Sequence, residues 1–215
     1  MCNKVHIVPR EVGNNVYKAT PAPPLTLTMR IVVAVPHANE APPGGDVGAL
    51  GIARYLASQL RDRGHTVRLI SFDQVRTATA DANRDHTAWP ELERAMEDAD
   101  LLLDVHTYGD EMPERWNVSP RDAPLVVMPL SGQEITKQVF PNRPTVPGSD
   151  DNRNVRLARD HPGMRGILLE FNSRALQDAP RDVQEVVDEI HQWCANSEHK
   201  TAAAVLRLWL TGGSL

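Results

Sequence analysis

A three-layer α/β/α fold around a mainly parallel, mixed sheet is predicted by three observations. Short apolar runs alternate along the chain with segments of helical periodicity. Those runs are apolar at consecutive positions, which marks strands covered on both faces. And 215 residues, 41% hydrophobic and 24% charged, suffice for one core but not for two ordinary domains. Residues 1–28 hold little that could build a core and read as an N-terminal extension. A single domain is therefore expected over 29–215, with both Met1 and Met29 open as starts.

The first strand is Arg30 to Val35, β-branched and stopped by Pro36. Pro42-Pro43-Gly44-Gly45 is a loop, and Asp46 is expected to cap the helix that follows. In that helix Leu50, Ile52, Leu56 and Leu60 form one apolar face, closed by Gly64. Val67 to Phe72 is the second strand, and a helix starts after Trp89 with Pro90 in its first turn. Leu101 to His106 and Pro124 to Met128 are the third and fourth strands. Residues 141–154, rich in Pro, Asn, Asp and Gly, are expected as one long surface loop. Gly166 to Phe171 is the fifth strand. Val183, Val186, Val187 and Ile190 then repeat at helical spacing, and Ala202 to Leu210 continues or restarts that helix.

Several classes of function are disfavoured. The net charge is −5 with no block of one sign, so there is no basic footprint for nucleic acid. No apolar run approaches the roughly 20 residues of a membrane helix. The proline-bearing, polar N-terminus does not resemble a signal peptide. Cys2 and Cys194 are the two cysteines, which excludes a disulfide framework and fits a reducing, cytoplasmic setting.

In parallel sheets ligands bind beyond the carboxyl ends of the strands, and three of these ends are polar. The first strand runs into Pro36-His37-Ala38-Asn39-Glu40, the third into Asp104-Val105-His106, and the fifth carries Glu170 after Ile167-Leu168-Leu169. Between them lies Asp81-Ala82-Asn83-Arg84, with Arg76 upstream. Two imidazoles and one carboxylate suit zinc and leave a fourth position for water. His37 and Glu40 can converge if the chain turns after Pro36, with His106 arriving from a neighbouring strand. A glutamate inside an apolar strand is expensive to bury unless it faces a cleft and a cation. Taken singly, each of these residues has a structural reading: a chance HxxE, a hydrogen-bonded strand-end histidine, a helix-capping glutamate, a surface ion pair.

Their order, PHxNE, then DxNR, then DxH, then a late glutamate, resembles the succinylglutamate desuccinylase/aspartoacylase family of the zinc carboxypeptidase-like superfamily, over residues 29–173. The resemblance implies one Zn2+ held by His37, Glu40 and His106. It implies Asp81 orienting His37, Arg76 stabilising an oxyanion, Asn83 and Arg84 gripping a substrate carboxylate, and Glu170 as general base and acid. Asp104 supports the site. The activity implied is zinc-dependent hydrolysis of the amide of a small carboxylate-bearing N-acyl amino acid. Only residues 171–215, helical by pattern, follow the glutamate, where family members carry a β-rich region that shapes the pocket. The acyl group is therefore left open.

The same strand end and motifs are also similar to N-formylglutamate amidohydrolases, and the short chain suits a metallocarboxypeptidase acting on peptide C-termini. From a different class, a non-catalytic metal- or ligand-binding protein could use the same fold. Arg165 is balanced between reading a second acidic group and a surface role. His86 could border the pocket. His65 reads as a cation at a helix C-terminus, His191 and His199 as solvated, His161 as loop. Asp151-Asn152-Arg153 reads as a turn, and Trp193 and Trp209 as core or subunit contacts.

Overall fold

A computed structural model describes residues 28–39, 46–74, 90–109, 123–130, 133–146 and 165–210, with side chains described as far as Asn196. Five strands form one sheet: β1 (Arg30–Val35), β2 (Thr66–Ser71), β3 (Leu101–Tyr108), β4 (Leu125–Pro129) and β5 (Arg165–Asn172). Their spatial order is β2-β1-β3-β5-β4. All neighbours are parallel except β4, which runs antiparallel to β5 at the edge. The sheet is thus mainly parallel and mixed, as the sequence predicts.

Helices α1 (Ala49–Asp62), α2 (Pro90–Met96), α3 (Gln133–Val139) and α4 (Ala179–Leu210) cover it. On one face Ile31, Val33 and Val35 of β1, Leu103 and Val105 of β3, and Leu169 and Phe171 of β5 pack with α1, α3 and α4. From α1 come Ile52, Leu56 and Leu60; from α4 come Val183, Val187 and Ile190. Each such fully buried aliphatic side chain is worth about 1.5–3 kcal/mol relative to exposure. The other face buries Val32, Ala34, Leu102, Leu168 and Val126 against Leu92 and Met96 of α2. Strands sandwiched in this way have no solvent face, which is why β3 reads as an apolar run and why its polar residues stand out.

Three details differ from the sequence reading. Asp46 is not the helix cap: Gly48 occupies that position at φ 81°, a backbone geometry that glycine adopts without strain, and α1 has no side-chain cap. Helix α3 falls where no element was expected. Its two turns bury Ile135 and Val139 on one side, too short a run for periodicity to register. The 141–154 segment is not wholly loop: Thr145 bridges Val127 of β4 and Val146 is buried, while 147–154 lie outside the described residues. Helix α4 continues unbroken to Leu210. No helix among the described residues is long and apolar enough to cross a membrane.

The topology fixes where chemistry can occur. The chain leaves β1 through α1 to β2 on one side, then returns through α2 to β3 on the other side of β1. Strand order therefore reverses between β1 and β3, and a crevice opens beyond their carboxyl ends.

Candidate metal centre

His37 follows β1 and His106 lies near the end of β3, so the two flank that crevice. Both are buried, and their rings meet edge to face with centroids 5.0 Å apart at 84°. Between them comes Asp46 from the turn before α1. Its Oδ2 lies 2.8 Å from His106 Nδ1 and 3.3 Å from His37 Nδ1. Local structure holds this carboxylate in place. The Asp46 N–H donates to His37 O (3.3 Å), its carbonyl accepts from Ala49 N–H (3.1 Å), and Thr107 Oγ1 donates to the carbonyl of Val47 (3.0 Å). A Cβ on Gly48 would meet Leu176 Cδ1 at 3.0 Å, so the turn seats tightly on the segment after β5.

The β3–β5 register extends the site. Glu170 pairs with His106, so in this parallel pair the two side chains leave the sheet on the same face, about 4.8 Å apart at the backbone. Asp104, two residues before His106 on that face, is fully buried, and its Oδ1 lies 3.4 Å from His106 Nε2. Asp46 and Asp104 thus flank His106, with Glu170 on the same face of the neighbouring strand. Burial disfavours ionisation of Asp46, yet the charge on His106 and hydrogen bonds from both imidazoles hold its carboxyl well below the usual range. Burial likewise disfavours charge on His106, but Asp104 and Asp46 outweigh it and push the imidazole well above its ordinary 6.5. The crevice is a field that calls for positive charge.

A divalent cation fits these residues. His37, Asp46 and His106 each offer one ligand atom, and all three atoms lie within 4.8 Å of one another. Tetrahedral zinc, with bonds of about 2.0–2.2 Å, needs ligand atoms roughly 3.3 Å apart, close to the separations measured at Asp46. Both histidines present Nδ1 to the shared point. With Nδ1 engaged by a cation, Nε2 of His106 carries the proton and faces Asp104, the carboxylate support that fixes a ligand imidazole's tautomer and orientation.

Of the residues singled out in the sequence, the structure brings together His37, His106, Asp104 and Glu170. Glu40, Arg76, Asp81, Asn83 and Arg84 lie outside the described residues, as do His86, His161 and Asp151-Asn152-Arg153. Asp46 is the member that sequence reasoning missed. The available signal was an acid just ahead of a helix in the β1 crossover, where strand order reverses. Arg165 starts β5 at the opposite end of the sheet, its guanidinium 4.9 Å over the buried ring of Trp193, and so stands away from the crevice. His65 is not the helix-end cation expected of it. It is buried, and burial, His191 and Arg63 lower its pKa. Nor is His191 solvated: its Nδ1 is buried against His65.

No protein-family model matches the chain, and no curated protein does. Among solved structures it is similar to the gene product Atu2144 from Agrobacterium tumefaciens, at TM-score 0.50 and 10% identity over 79% of this chain and 92% of that one. It is also similar to an N-formylglutamate amidohydrolase from Ralstonia eutropha (TM-score 0.48, 14% identity, 79% and 95% of the two chains). A metallo-carboxypeptidase from Burkholderia cenocepacia follows (TM-score 0.44, 14% identity, 85% and 58%). At these identities the likeness concerns the fold alone, and it is Atu2144 that carries it: a mainly parallel sheet flanked by helices.

Proposed function

We propose that the protein is a zinc-dependent amide hydrolase acting on a small, carboxylate-bearing N-acyl amino acid. The observation that carries this reading is the convergence of His37 Nδ1, His106 Nδ1 and one Asp46 oxygen in a buried crevice, with Glu170 beside His106 on the next strand. His37, Asp46 and His106 would hold the cation. A cation bound there supplies a Lewis acid and makes hydroxide accessible near neutral pH. Glu170 is the base that takes the proton from the attacking water and returns it to the leaving amine. Asp104 keeps the His106 ring turned for ligation. The resemblance assigns Arg76 to the oxyanion and Asn83 with Arg84 to the substrate carboxylate, a task for which a planar guanidinium is suited. It also assigns Glu40 to the metal; among the described residues, Asp46 is the carboxylate that lies beside both histidines.

The test separates metal from turnover. Glu170→Gln should retain metal while losing about 10²–10⁴-fold of its turnover on a panel of N-acyl amino acids. Zinc content by elemental mass spectrometry and amine release by a colorimetric assay would be read on the same preparations. Metal lost with Glu170, or turnover retained without it, would contradict the assignment. A peptide C-terminus as the preferred substrate would favour a carboxypeptidase. Bound metal with no turnover on any substrate would favour a binding protein.

A further inference from the structure

At the other end of the sheet lies a second histidine pair, buried His65 and half-buried His191, that the proposed chemistry does not use. His65 follows the glycine that ends α1 at φ 89°, and His191 sits on α4; their rings meet at 5.9 Å and 68°. His65 Nδ1 accepts a hydrogen bond from the buried Met29 N–H (3.4 Å), so this nitrogen carries no proton and Nε2 does. His65 Nε2 and His191 Nδ1 are both buried without a hydrogen-bond partner among the described residues. One turn beyond His191, Cys194 Sγ touches Met29 Sδ at 2.8 Å. The β1 entry, the α1 exit and α4 therefore meet at one point.

We infer that this pair is a proton-sensitive latch on the α1–α4 seam, closed while the His65 ring is neutral and opened when it takes up a proton. A proton on His65 Nδ1 would set a donor against the Met29 N–H and break that bond. Around the pair, α1 brings Arg63, whose charge opposes a second cation and which is tied to Asp188 of α4. Helix α4 brings Asp188, half exposed and already paired, with Cys194; β5 brings Arg165, held over Trp193. No carboxylate among the described residues hydrogen-bonds either ring. Neutral His65 is thus favoured on folding and protonated His65 is not, in the direction of its lowered pKa. The sign follows: the stability is present above the ordinary value of 6.5 and is lost as the pH falls below it.

Hydrogen exchange of the purified protein at pH 7.5 and pH 5.5, corrected for intrinsic rates, tests this. Peptides covering the end of α1 and residues 183–194 of α4 should lose about tenfold protection at the lower pH relative to peptides of β3 and β5. His65→Asn keeps an acceptor for the Met29 N–H but cannot take up the proton, and it should remove the acid-dependent loss. His65→Gln, which also cannot take up the proton, should do the same, and serves if the first variant does not fold. Equal protection at both pH values in the wild type, or a loss that persists in both variants, would overturn the latch.

Discussion

Two edge-on histidine pairs lie one at each end of the sheet, and the buried members His106 and His65 respond to protons in opposite ways. At the carboxyl end, His37 and His106 share Asp46, and His106 also faces Asp104; its affinity for a proton is raised. At the other end, His65 and His191 have each other, Arg63 and two sulfur atoms nearby; the proton affinity of His65 is lowered. Burial acts the same way on His106 and His65. Carboxylates make the difference, and with it the difference between a place that attracts a cation and one that expels it.

The comparison can be sharpened first at Asp104. Asp104→Asn keeps the side chain's shape and an acceptor for His106 Nε2 but removes the charge, and should weaken zinc binding about 10–100-fold in a competition titration with a chelator. Unchanged affinity would show that Asp104 does not support the ligand. The second contrast is pH dependence after chelation. The raised pKa of His106 means its ion-pair stabilisation is fully present below 6.5 and is lost as the pH rises through the folded-state value. The depressed Asp46 contributes above its ordinary 3.8 and fails only at lower pH. Melting temperatures of chelated protein should therefore fall as the pH rises above 6.5. Added zinc should restore them, since a cation takes the place of the proton. A flat profile would contradict the charge balance described for the crevice. The smallest effect is structural: Gly48→Ala, at φ 81° and 3.0 Å from Leu176, should cost about 1–2 kcal/mol in denaturant unfolding. It should also weaken metal binding, because Asp46 is set by the same turn.

The strands were legible because a parallel sheet buried on both faces writes itself as runs of Val, Ile and Leu, and because polar residues inside such runs are conspicuous. Asp104, His106 and Glu170 were visible for that reason. Asp46 was not: it reaches the histidines across a nine-residue excursion, and an acid before a helix reads as a cap. The actual cap is Gly48, and the carboxylate was released for another use. His65 and His191 were misread because each sits in a polar stretch, and only tertiary packing brings 126 residues of separation down to ring contact.

The proposed function stands or falls on one divalent cation held by His37, Asp46 and His106 in the crevice between β1 and β3. Elemental mass spectrometry of purified wild type beside His106→Ala and Asp46→Ala, each offered zinc and then desalted, addresses it directly. About one zinc per chain in the wild type and little in either variant is the predicted result. Wild type that retains no metal, or an Asp46→Ala variant that holds as much as wild type, would contradict it.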